Sequence, residues 1–247
     1  MQIIFIHHSC FLVELDDKVL IFDYFDGDKV EGMHFTGKLP SYEPDTKIYM
    51  FASHSHKDHY DMDILRLADK YSNIHYIFSK DIRISPHFLS KHGIDPAVRE
   101  RVTFVSPDNT YHVDDLDIMT LRSTDAGVAF YVTSNGVSLF HAGDLNWWHW
   151  AEEDLAWNRN MEANFKRYTE PLRGRRVDLA MLPLDSRLKT DGYLGPNYFL
   201  NLMEVRRFLP MHQWEDFAFT DEFLSAYPQF APITVKIHRD GEFLGEL

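Results

Sequence analysis

The sequence predicts an α/β fold built from two sheets, and three observations carry that expectation. Short apolar or β-branched runs fall in two successive blocks, near 2–52 and 110–140. Stretches with helical spacing lie between and after these blocks instead of forming a bundle of their own. The chain has 247 residues, 45% of them hydrophobic and 15% aromatic, enough to bury a sizeable core. No repeat, low-complexity segment or linker divides it, so one domain spanning residues 1–247 is expected.

In the first block, runs at 2–6, 10–15 and 18–22 read as strands, and Asp16-Asp17 supplies a hairpin turn between the last two. Residues 26–46 are poor in aliphatics and form an excursion loop, after which 47–52 is the next strand. Met62, Ile64, Leu65 and Ala68 then give helical spacing. Strands follow at 75–78 and 101–105, separated by a helix or loop containing Pro86. The second block holds strands at 110–113, 116–121, 127–133 and 137–140, with Asn135-Gly136 as a two-residue hairpin turn. A polar helix over 151–169, a strand at 177–182 and a helix over 196–208 with Pro196 near its first turn come next. Strands at 233–237 and 242–245 close the chain.

Composition narrows the function classes. A formal net charge of −13 opposes the counterion release that holds a polyanion, so a nucleic-acid partner is not expected. A single cysteine, Cys10, excludes an internal disulfide framework and fits a reducing compartment. Met1 runs directly into a strand without the basic and cleavage regions of a signal peptide. No apolar stretch approaches the roughly 18 residues of a membrane span. A cytoplasmic protein without a membrane partner is expected, with room for a homo-oligomer.

The chemistry concentrates in "FASHSHKDHY" at 51–60. An apolar run ends here in His54, His56, Asp58 and His59. Residues two apart in an extended segment point the same way, so His54 and His56 can face one ion. Asp58 and His59 fall where the chain turns and can serve a neighbouring one. Imidazole and carboxylate donors together suit zinc, manganese or iron rather than calcium or magnesium.

The HSHKDH motif, followed in order by "FHAGDLN" and "PMHQW", resembles the metallo-β-lactamase-fold hydrolases along nearly the whole chain. The resemblance implies an αββα four-layer sandwich with one or two divalent metal ions, zinc foremost and manganese or iron as alternatives. It implies that Asp144 bridges the ions, that His212 completes the second site and that Asp23 supports the histidine loop. The N-terminal "HHSCFLVE" resembles the G-H-S-x-x-L-I-E opening of the branch containing ascorbate-6-phosphate lactonase, with His7 where that branch carries glycine. "STDAGVAFYV" and "FHAGDLNWWHW" narrow the resemblance to a bacterial group within the branch. The residues agree on their own terms. Gly143 permits close backbone approach beside Asp144, and a carboxylate can span two cations about 3.5–4 Å apart. His212 ends another apolar run.

One departure stands out. The third histidine usual on the first metal is absent: Ser123, Thr124 and Asp125 occupy its place, and His112 lies too early. Asp125 is the carboxylate available to substitute. His8 and His141 are further residues for the pocket or its supporting layer. The tryptophans after Asp144 either wall a substrate pocket or pack a helix, and "KRYTEPLRGRR" reads as a solvated helix end.

The expected activity is hydrolysis of a small-molecule ester, lactone or phosphoester, with Asp58 both ligating metal and orienting the nucleophile. A metal-dependent nuclease or phosphodiesterase of the same fold and a non-catalytic metal-binding protein are the alternatives.

Overall fold

The computed structural model describes residues 1–30 and 34–246; residues 31–33 of the expected excursion loop lie outside the described residues. Two compact units emerge, Met1–Val105 with Asp240–Leu247 and Ser106–Arg239, each built on one mixed β-sheet with helices.

The first unit opens with an antiparallel meander, β1 (Gln2–His7), β2 (Cys10–Leu15) and β3 (Lys18–Phe22). Parallel strands β4 (Ile48–Ala52), β5 (Ile74–Ser79) and β6 (Val102–Val105) extend it from β3. The C-terminal strand Glu242–Glu246 pairs antiparallel with β1 and completes seven strands. Every residue of β3 and β4 is buried, which is why both read as continuous apolar runs rather than alternating ones. One core layer joins Leu12, Ile21 and Met50 to Ile64 and Leu65 of a 3-10 helix, Met62–Asp69, and to Leu89 of α1 (Pro86–Lys91).

The second unit repeats the plan. Strands β7 (Asn109–Val113), β8 (Leu116–Arg122), β9 (Val128–Ser134) and β10 (Val137–His141) form an antiparallel meander. The parallel strands β11 (Arg176–Pro183) and β12 (Glu204–Met211) extend it from β10. The β9–β10 turn holds Asn135 and Gly136 at φ 51 and 77, the left-handed pair that a two-residue hairpin needs. Helices α2 (Leu155–Thr169), α3 (Leu194–Leu202) and α4 (Phe219–Ala226) complete the unit.

Three expectations are corrected. The helix over 196–208 stops at Leu202, because residues from Glu204 onward pair in parallel with β11 and the ladder overrides the helical pattern. Pro210 is tolerated because β12 is an edge strand. The strand at 233–237 reduces to a single bridge between Phe208 and Thr234. The helix expected from 151 begins at Leu155, where the Asp154 carboxylate accepts the Trp157 N–H as N-cap. Among the described residues no helix is long and apolar enough to cross a membrane.

Candidate metal-ligating residues

In both units, ligand-type side chains gather beyond the carboxyl ends of parallel strands, where open α/β sheets present their sites. In the first unit β3 delivers Asp23, and the adjacent β4 delivers Ser53 and the histidine motif. Asp23 is fully buried and adopts φ 48, uncommon for a residue with a side chain. Its carboxylate accepts hydrogen bonds from Ser53 N–H at 2.7 Å, from the Ser53 hydroxyl at 2.6 Å and from His59 Nδ1 at 2.8 Å.

This geometry dictates two tautomers. A carboxylate only accepts, so His59 carries a proton on Nδ1, and in the neutral ring Nε2 is then the acceptor. The Ser53 hydroxyl spends its one proton on Asp23, so at 2.9 Å it accepts from His54 Nδ1, and in the neutral ring His54 Nε2 is the acceptor as well. One buried carboxylate thus orients two histidines, one directly and one through a serine. His54 Nε2 lies at hydrogen-bond distance, 3.0 Å, from His56 Nδ1, and Asp58 Oδ2 lies 3.9 Å from His59 Nε2. Ligands about 2.0–2.1 Å from a tetrahedral ion stand roughly 3.3 Å apart, so these spacings fit donors around cations.

His8 lies in the β1–β2 turn at φ 49, 2% exposed, with its ring against Phe25, Phe35 and His59. Its Nε2 is 3.5 Å from Asp58 Oδ2, and ligand atoms of His8, Asp58 and His59 fall within 4.8 Å of one another. The neighbouring His7, packed among Phe25, Phe35 and Tyr24, has its pKa lowered to about 4 by burial, so it stays neutral.

In the second unit β10 leads through His141 to Asp144. The His141 ring, fully buried, accepts the Gly143 N–H on Nδ1 at 3.1 Å, and Gly143 sits at φ 51. Trp148 Nε1 donates to the Asp144 carbonyl at 2.9 Å. The Thr124 hydroxyl donates to the Asn146 carbonyl at 2.7 Å and accepts the Asn146 N–H at 3.0 Å. A Cβ at Gly195 would come within 1.9 Å of Asn146 Oδ1, so any side chain there would displace the Asn146 amide from the start of α3. These contacts fix the loop that carries Asp144, and Thr124 ties it to the neighbouring Asp125. Carboxylate oxygens of Asp125 and Asp144 lie within 4.8 Å of each other, with Asp125 exposed and Asp144 buried. His112, by contrast, is exposed and paired with Asp117, remote from these residues in role.

His212 follows β12 at φ 59, with Nε2 3.5 Å from Asp144 Oδ1. Its Nδ1 donates at 2.9 Å to Asp185, a fully buried residue that follows β11. Burial pushes the Asp185 carboxyl up, but hydrogen bonds from His212 and Arg187 outweigh it and hold the group well below the usual carboxylate range. Arg187 lies over the rings of Trp214 and Trp150, and Trp148 meets His212 edge-on. Asp185 was not singled out from the sequence, although "MLPLDS" repeats the pattern of "VLIFDY", an aspartate directly after a buried strand. Ser53, Thr124 and Arg187 gave no sequence signal of their own.

Residues 2–155 match the beta-lactamase superfamily domain family. No curated protein sequence matches the chain. Among solved structures, Igni18, a metallo hydrolase from the archaeon Ignicoccus hospitalis, aligns with TM-score 0.63 and 16% identity over 98% of this chain and 96% of its own. The metallo-beta-lactamase fold protein YhfI from Bacillus subtilis gives TM-score 0.60 and 13% identity over 98% of both chains. CmlA, a diiron beta-hydroxylase from Streptomyces venezuelae, gives TM-score 0.63 and 10% identity over 96% of this chain and 53% of its own. The chain belongs to the beta-lactamase superfamily domain family, and its two mixed sheets with helices match the α/β sandwich of the metallo-beta-lactamase fold. That membership supports an enzyme.

Proposed function

We propose that the protein is a metal-dependent hydrolase of a small-molecule ester, lactone or phosphoester. The observation that carries this reading is the Asp23–Ser53–His54 chain together with the Asp23–His59 bond, which engages Nδ1 of two histidines of one motif and makes Nε2 the acceptor in each neutral ring. Outer partners of this type fix ring orientation and raise ligand basicity in metal sites. His54, His56, Asp58 and His59 of the first unit and Asp125, Asp144 and His212 of the second are the residues that would hold metal. A divalent ion in such a set supplies Lewis acidity and lowers the pKa of water from 15.7 to about 7. Asp58 is the residue that orients the attacking water.

A carboxylate from Asp125 in place of an imidazole hardens the donor set and moves preference from zinc toward manganese or iron. The fold accommodates a diiron centre in CmlA, which is consistent with that shift. The opening "HHSCFLVE" keeps a lactone, as in the ascorbate-6-phosphate lactonase branch, foremost among substrates. The charge of −13 favours a small molecule over nucleic acid, and the single cysteine suits a reducing, cytoplasmic setting.

The test is metal per chain, by elemental analysis, alongside turnover of a panel of lactones and phosphodiesters with a chelated control. Asp144→Ala should lose more metal than any single histidine variant, and Asp125→Ala should empty one site selectively. Chelation should abolish turnover. An Asp144→Ala protein as metal-replete as wild type, or two ions bound equally well by Asp125→Ala, would overturn the ligand assignment. Metal binding without turnover of any panel member would favour the non-catalytic reading.

A further inference from the structure

His8 belongs to none of the ligand positions that the HSHKDH motif and its partners define, yet its placement is specific. It holds a left-handed backbone at φ 49, a conformation costing on the order of 1–3 kcal/mol in a residue with a Cβ. Asp23 and His212, which orient or supply metal-facing nitrogens, carry the same strain at φ 48 and 59. The His8 ring is buried at 2% exposure, set by Phe35 at 5.4 Å and meeting His59 edge-on at 5.7 Å.

Two accounts of the contact with Asp58 compete. As a simple imidazole–carboxylate hydrogen bond, a separation of 3.5 Å is too long, since such bonds run about 2.7–3.2 Å. As neighbouring ligands of one ion, the pair is well spaced, because donors about 2.0–2.1 Å from a tetrahedral metal stand roughly 3.3 Å apart. His8 Nε2 and His59 Nε2 lie 3.5 and 3.9 Å from Asp58 Oδ2, and ligand atoms of all three fall within 4.8 Å of one another.

We propose that His8 is a direct ligand of the ion held by Asp58 and His59. The inference rests on the metal-dependent reading above. It gives that ion two imidazoles and one carboxylate from a single unit, a donor set that suits iron(II) as well as zinc. It also explains why a histidine occupies a strained turn where glycine would cost less.

The experiment titrates the full-length apo protein with Co(II) and Zn(II), using wild type, His8→Phe and His8→Gln. Phenylalanine fills the aromatic surroundings without a donor, and glutamine keeps a neutral group beside Asp58. Both variants should lose one ion by more than the roughly 100-fold that removal of an outer partner produces, while the other ion stays bound. The Co(II) visible spectrum should change, and X-ray absorption should count one imidazole fewer per bound pair of ions. If His8→Gln binds both ions as wild type does, with an unchanged spectrum, His8 only positions Asp58 and the inference is wrong. If the wild-type chain binds no ion at all, the metal-dependent reading itself fails, a result distinct from the first. Should His8→Phe fail to fold, as judged by circular dichroism of the apo form, His8→Gln alone decides.

Discussion

The two units solve one problem twice. In each, a buried aspartate follows one parallel strand and grips the Nδ1 of a histidine that follows the strand beside it: Asp23 and His59 after β3 and β4, Asp185 and His212 after β11 and β12. The difference lies in what else the aspartate holds. Asp23 accepts from a peptide N–H, a hydroxyl and an imidazole, all in the interior. Asp185 also takes a two-point contact from the guanidinium of Arg187, whose side chain is 45% exposed, and a bond from Trp214 Nε1. The first carboxylate organises a rigid polar interior. The second is anchored to a cation that reaches solvent.

The contrast predicts unequal losses, and the largest belongs to Asp23. Asp23→Ala removes the acceptor of three buried donors, and each buried donor left without a partner costs about 1–3 kcal/mol. Unfolding of the metal-free protein by denaturant should register a loss of roughly 3 kcal/mol or more. Metal binding should fall with it, because His54 and His59 lose their tautomer control together. A variant as stable as wild type would break the comparison at its root.

The same contrast explains what could be read in advance. The first unit's donors are contiguous in sequence, so six residues after an apolar strand announced them. Strands β3 and β4 were legible for a related reason: both are buried along their whole length and so appear as nearly unbroken apolar runs. The second unit's donors are spread from Asp125 to His212, each on its own strand end, and a single aspartate carries little information in a chain this acidic. Asp185 escaped for that reason, although the rule that found Asp23 applies to it. His8 was placed near the site but without a role, because a turn histidine announces neither its backbone strain nor its distance to Asp58. The helix over 196–208 failed where sheet pairing, invisible in a local window, took over from Glu204.

Asp185→Asn should fall between the extremes. The amide keeps one acceptor oxygen, and Arg187, being half exposed, can turn to water instead of remaining a buried, unpaired charge. A loss of about 1–2 kcal/mol in the metal-free protein is expected. Metal affinity should drop by roughly 10- to 100-fold, because His212 loses the carboxylate that fixes its ring. Titration of Asp185→Asn and Asp23→Asn side by side sharpens the comparison: the Asp23 variant should lose affinity at both histidines it governs, the Asp185 variant at one ion only. Equal losses at both ions in both variants would mean that the two aspartates do not act through their own histidines.

Arg187→Gln should give the smallest effect, and its sign is informative. The guanidinium is partly solvated, so its pairing with Asp185 contributes under about 1 kcal/mol once solvent screening is allowed for. Some packing on Trp214 and Trp150 is lost as well, and the metal-free protein should be slightly less stable. Metal affinity should move the other way. Arg187 draws charge from Asp185 and so weakens the pull of that carboxylate on the His212 proton. Without the arginine, the imidazole becomes a better donor through Nε2. At about pH 8, where imidazole protonation no longer competes with the ion, affinity should be unchanged or slightly higher. A tenfold fall there would show that Arg187 supports the ion by more than its hold on Asp185, and would make the two units less alike than their strand ends suggest.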